Sequence, residues 1–157
     1  MPDTRDARSG SSTESALGFD FGTRVIGVAV GNPLTGARAL ATVTNGAEPD
    51  WRRIDTLVGE WRPADLIVGL PLTLDGNEQA IAKASRAFAA TLEERYKLPV
   101  HLVDERLTSV EASRRFAQQR ASGTARRKDA ISLDAIAASI ILESWFERGG
   151  PTHEHER

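Results

Sequence analysis

The sequence predicts an α/β domain built on a mixed five-stranded sheet flanked by helices. Three observations carry that expectation. Ala16 to Thr44 is β-branched and punctuated by turns, and Asp65 to Val103 alternates strand, helix and strand patterns. The 157 residues, 40% of them hydrophobic, suffice for one core and are cramped for two.

Ala16–Phe21 is apolar around the single Asp20, and after the Gly22-Thr23 turn Arg24–Val30 is β-branched, so the pair reads as a β-hairpin. Asn32-Pro33 and Gly36 bracket a turn, and Ala37–Thr44 reads as a third strand ended by Asn45-Gly46. Three consecutive strands make an antiparallel meander. Ile54, Leu57, Val58 and Trp61 fall at helical spacing between an N-cap at Asp50 and a stop at Pro63. Asp65–Leu70 has the pattern of a buried strand, Gly76–Tyr96 that of a helix with Ile81, Ala84, Phe88 and Leu92 on one face, and Val100–Val103 that of another strand. Such a crossover is right-handed and sets its strands parallel, so the second half extends the sheet begun by the meander. Thr108–Gln119 reads as a helix, Arg120–Lys128 as a loop and Asp129–Glu147 as a long, mostly apolar helix. The expected domain spans 16–149. Residues 1–15 and 150–157 are too polar to bury surface and read as tails.

With no cysteine, the chain has no disulfide framework, thiol nucleophile or cysteine-based metal site. Twenty Lys and Arg against 22 Asp and Glu leave a net charge of −2, so any nucleic-acid surface must be local. No segment reaches the roughly 18 apolar residues of a membrane span, and the expected location is the cytoplasm, with no membrane partner.

Three acids stand where a simple core would not put them. Asp20 interrupts the first strand, Glu105 follows the last, and Asp134 opens the apolar part of the final helix. Buried carboxylates are normally paired, hydrogen-bonded or bound to a metal, and an all-oxygen set suits Mg²⁺ or Mn²⁺. Each acid also has a plainer reading: Asp20 accepting from the Gly22-Thr23 turn, Glu105 pairing with Arg106, Asp134 favouring the positive end of its helix. Whether the three converge decides between these readings.

The string Gly18-Phe19-Asp20-Phe21-Gly22-Thr23-Arg24-Val25-Ile26-Gly27-Val28-Ala29-Val30-Gly31 resembles the opening motif of the YqgF family, the RuvX-like Holliday-junction resolvases or pre-16S ribosomal RNA nucleases. Ile67-Val68-Gly69-Leu70-Pro71-Leu72 with Asp75-Gly76, Asp104-Glu105-Arg106-Leu107-Thr108-Ser109 with Glu111-Ala112, and Leu133-Asp134 with Ile140-Ile141-Leu142-Glu143-Ser144 resemble its later motifs. The likeness runs in order from Leu17 to Gly149. It implies a ribonuclease H-like fold and a metal-dependent nuclease whose acids are Asp20, Glu105 and Asp134, with Asp75 or Glu78 as alternatives to Glu105. It also implies a nucleic-acid partner: precursor 16S rRNA or the pre-ribosomal particle in ribosome biogenesis, or else a four-way DNA junction in recombination. The oligomeric state is not legible.

From Arg106 to Lys128 there are seven basic residues (Arg106, Arg114, Arg115, Arg120, Arg126, Arg127 and Lys128) against Glu111, a local charge of +6 that leaves −8 on the rest. Lying between two of the expected catalytic acids, this segment is a candidate phosphate-binding surface, and Arg24 beside the opening motif joins it. The plainer reading is a solvated helix and loop.

Two other functions compete. Asp20-Phe21-Gly22-Thr23 before a hairpin also resembles the first phosphate loop of the actin, sugar-kinase and Hsp70 ATPases, but those close two such lobes over ATP and this chain has residues for one. No Walker A loop, dinucleotide fingerprint or set of protein-kinase motifs occurs. A non-catalytic RNA-binding assembly factor is the other rival, and retention of three acids counts against it. His101 reads as a structural residue on a strand, and His153 and His155 flank Glu154 in the terminal tail.

Overall fold

The computed structural model describes residues 14–71, 79–105 and 132–150. Five strands form one mixed sheet: β1 (Ala16–Phe21), β2 (Val25–Asn32), β3 (Gly36–Thr44), β4 (Asp65–Leu70) and β5 (Val100–Asp104), in the spatial order β3-β2-β1-β4-β5. β1, β2 and β3 pair antiparallel, whereas β4 lies parallel to β1 and β5 parallel to β4. The meander and the parallel extension therefore both form, with β1 as their shared central strand. Among the described residues three helices pack on this sheet: α1 (Trp51–Trp61), α2 (Ala80–Tyr96) and α3 (Leu133–Glu147).

Alternation along the strands sorts side chains into two layers. Leu17, Phe19, Ile26, Val28, Leu66 and Val68 point to one side and bury against Ile54, Leu57, Phe88 and Leu92 of α1 and α2. Ala16, Ala29, Ile67 and Val103 point to the other side, under Ala138, Ile141, Leu142 and Trp145 of α3. On this side Gly18 and Gly27 let α3 lie close to the sheet, where an added Cβ would meet Leu142 and the Asp134 carbonyl.

The helix ends explain where sequence boundaries shift. Asp50 caps α1 as expected, its carboxylate accepting from the Arg53 amide at 3.3 Å, and the chain leaves through Arg62 in the left-handed region before Pro63. The second helix begins at Ala80 rather than Gly76, because Gln79 is extended. The last begins at Leu133 rather than Asp129: Ser132 is extended and its hydroxyl accepts from the Ala135 amide at 3.1 Å as the N-cap. The helix expected over 108–119 and the loop over 120–128 lie outside the described residues, as do residues 1–13 and 151–157.

His101 has the structural role its isolation predicts. Its Nε2 lies 2.9 Å from Asp65 Oδ1 and its ring sits 4.9 Å from that of Trp145, tying β5, β4 and α3 together near the amino ends of the parallel strands. No described helix is long and apolar enough to cross a membrane.

Candidate active site

β1, β4 and β5 run parallel, so their carboxyl ends share one edge of the sheet, the usual position for a site in such a layer. Asp20 is the penultimate residue of β1, and Glu105 directly follows β5. Position parity puts both on the α3 side: Asp20 alternates with Ala16 and Gly18, and Glu105 with Val103. Asp134 stands in the first turn of that same helix. All three acids thus come from separate elements to one corner.

Two missing side chains open that corner. In the hairpin register Gly27 is opposite Asp20, and a Cβ on Gly27 would overlap the Asp134 carbonyl. Only glycine lets the start of α3 settle on β2 beside Asp20. On the other flank, β4 separates β1 from β5, and a Cβ on Gly69 would lie 2.6 Å from Glu105 Oε2. The Glu105 carboxylate therefore reaches back over β4, toward Asp20, through the space that Gly69 leaves. Both glycines lie inside the family motifs, but the space each leaves is set by a neighbouring strand or helix and carries no signal along the chain.

Electrostatics records the crowding. Burial, then the charge of Asp134, pushes Asp20 up to about 6. Burial, then the charges of Asp20 and of neighbouring Asp104, pushes Glu105 up to about 7. Asp20 thus feels the charge of Asp134 and is itself felt by Glu105. The contribution of Asp104 was not anticipated from sequence; its adjacency to Glu105 was the available signal. Among the described residues no three acidic or histidine side chains close into a ready-made metal cage, so the coupling is pairwise, Asp20 with Asp134 and Asp20 with Glu105. The donor set consists of hard carboxylate oxygens whose mutual repulsion a divalent cation relieves, which fits Mg²⁺ or Mn²⁺ and not a soft metal.

Of the expected phosphate-binding residues, Arg24 is exposed in the β1–β2 turn, with its carbonyl accepting the Asn45 amide at 2.9 Å. Arg106, Arg114, Arg115, Arg126, Arg127 and Lys128 lie outside the described residues, as do Asp75 and Glu78.

Comparison with known proteins agrees with this architecture. A Xylella fastidiosa (strain M23) protein named "Putative pre-16S rRNA nuclease" is 57% identical over 132 residues, covering 83% of this chain and 85% of that protein. A Xanthomonas campestris pv. campestris (strain B100) protein of the same name is 56% identical over 134 residues, covering 84% of this chain and 86% of its own length. Among solved structures, T. thermophilus RuvC in complex with a Holliday junction substrate superposes with a TM-score of 0.54 at 17% identity, over 87% of this chain and 97% of that one. That likeness is one of fold, the ribonuclease H-like fold expected from the motifs. The family model described as "RuvX: Holliday junction resolvase" matches residues 14–148, and the chain belongs to this RuvX family of nucleases.

Proposed function

We propose that this chain is a divalent-metal-dependent endonuclease that hydrolyses a phosphodiester bond of precursor 16S ribosomal RNA in the cytoplasm, through Asp20, Glu105 and Asp134. The observation that carries the reading is the convergence of Asp20 and Glu105, on either side of Gly69, in a corner too dry and too negative for both to ionise readily near neutral pH. Perturbed carboxylates gathered at the carboxyl edge of a parallel sheet are a marker of chemistry rather than of packing. In this proposal Asp20, as the central acid, holds a cation jointly with Asp134 on one side and Glu105 on the other. A bound Mg²⁺ or Mn²⁺ supplies neutralisation of the scissile phosphate and activation of a water for in-line attack. The protein's part is to hold the oxygens in place and to exclude other solvent through α3. The domain doing this spans 16–149, consistent with the family match over 14–148.

Relatives carry the rRNA name and the family model carries the junction name, so the substrate is tested directly. Pure protein is offered matched precursor-rRNA and four-way DNA junction substrates, with Mg²⁺, with Mn²⁺ and with chelator. Metal-dependent cutting of the RNA alone is the expected result. Preferential junction cutting, which calls for two symmetry-related active sites, replaces the substrate assignment.

Two further expectations follow from this reading. Glu105→Gln should lose cleavage, while Asp75→Asn and Glu78→Gln retain it, when the three are compared at saturating substrate and metal. The reverse pattern reassigns the second acid. In the basic segment, Arg126, Arg127 and Lys128 replaced together by Ala should weaken RNA binding and lower the slope of log affinity against log salt by about 2, at roughly 0.7 per lost single-strand phosphate contact. Cleavage at saturation should survive. An unchanged slope moves the phosphate path to Arg24 and Arg106.

A further inference from the structure

Asp20 and Phe21 are consecutive in β1, so they face opposite sides of the sheet. Asp20 faces α3 and the other acids. Phe21 faces a groove between α2 and the loop that follows β3, formed by two adjoining hollows of about 660 and 400 Å³ that share Phe21, Glu48, Pro49 and Ala84. We propose that this groove receives an unpaired nucleobase of the RNA strand, from a nucleotide next to the bond being cut; the proposal rests on reading the acids as the nuclease site.

Four features point to a base as the occupant. The first is position, because a strand with a phosphate at Asp20 passes over the carboxyl end of β1, where the groove opens. The second is the aromatic floor. Phe21 packs 5.0 Å from Phe88, Trp51 stacks on Phe88 at 5.6 Å, and Arg95, held by two hydrogen bonds to Asp55, lies 5.0 Å over the Trp51 ring. This floor is fixed before any ligand arrives, which lowers the ordering cost of binding. Third, Glu48 lines both hollows; a carboxylate there repels a phosphate but accepts a hydrogen bond from the exocyclic amine of a base. Fourth, the turn carrying the exposed Arg24 is tied to the groove wall, where Asn45 Nδ2 donates to the Gly22 carbonyl at 2.6 Å and the Asn45 amide to that of Arg24. A cation at this rim suits the phosphate that links the inserted base to the scissile position.

The test fills the groove without removing any contact. Ala84 lines both hollows from the surface of α2, and Ala84→Leu keeps a strong helix former there. The full-length parent and variant are titrated with labelled single-stranded precursor RNA in Ca²⁺, then assayed for cleavage in Mg²⁺. Loss of a stacked base weakens binding by about tenfold, so KM should rise by about that factor with kcat nearly unchanged. An abasic residue placed in turn at each position flanking the cleaved bond should reproduce this loss at one position in the parent and add nothing in Ala84→Leu. Ala87→Leu, at an exposed position lining the smaller hollow, repeats the test should Ala84→Leu melt early. A parent that cuts RNA, with both variants matching it in KM, overturns the base site and leaves the nuclease reading standing. A parent that neither binds nor cuts RNA overturns both.

Discussion

Asp20→Asn is expected to reduce metal-dependent cleavage by roughly three orders of magnitude while raising the stability of the metal-free protein at neutral pH. The two effects share one cause. Asn keeps the shape of Asp and removes the charge that the corner holds least comfortably. Folded Asp20 titrates near 6 against an ordinary 3.8, so between those values the folded protein keeps a proton that the unfolded chain has released. Its ionisation therefore destabilises the fold progressively as pH rises from about 4 through 6, and the penalty is complete at pH 7. At about 1.4 kcal/mol per pH unit this is an upper limit near 3 kcal/mol, and partial solvation makes a gain of about 1–2 kcal/mol the expectation for Asp20→Asn. Below pH 4 the variant and the parent should melt alike. Metal reverses the order: Mg²⁺ at a hundred times its dissociation constant stabilises the parent by about 2.7 kcal/mol, and the variant should lose most of that increment. Melts at pH 4 and pH 7.5, with and without Mg²⁺, check all three statements. A variant that cuts RNA like the parent removes Asp20 from the site.

The fold was legible because its signals are local. The apolar and β-branched runs around the Gly22-Thr23 turn, the Asn45-Gly46 break and the helical spacing of Ile54, Leu57 and Trp61 each report a short stretch of chain, and the parallel crossover follows from element order. The two shifted helix starts show the limit of such signals. Gly76 and Asp129 look like helix openings on composition, but the described helices begin at Ala80 and Leu133, each directly after one extended residue, Gln79 and Ser132. The acids were also visible one by one, as charges in apolar surroundings, and the family motifs grouped them. What sequence did not give was their spacing in three dimensions. Asp20 and Glu105 lie 85 positions apart, and their coupling depends on β4 standing between their strands with no side chain at Gly69. No pattern along one strand encodes an empty place between two others.

Gly69→Ala should therefore act as an active-site mutation, although the residue carries no functional group. The added methyl falls where Glu105 Oε2 and the tip of Ile141 now lie. Both are ends of flexible side chains, so the strand can keep its register while the carboxylate and the isoleucine move aside. The fold should survive, at a cost of about 1–3 kcal/mol for overpacking. The catalytic loss should be larger, because a ligand displaced by about 1 Å can lower a rate by about a hundredfold. The loss should appear in kcat and in a raised Mg²⁺ requirement, with RNA affinity in Ca²⁺ little changed. Gly59→Ala provides the control: that glycine sits in α1 with nothing within 4 Å of an added Cβ, and alanine there should stabilise by about 0.8–1 kcal/mol with no effect on cleavage. If Gly69→Ala retains parental kcat and metal dependence while melting only slightly earlier, the Glu105 carboxylate does not work from above β4, and the second acid has to be sought at Asp75 or Glu78.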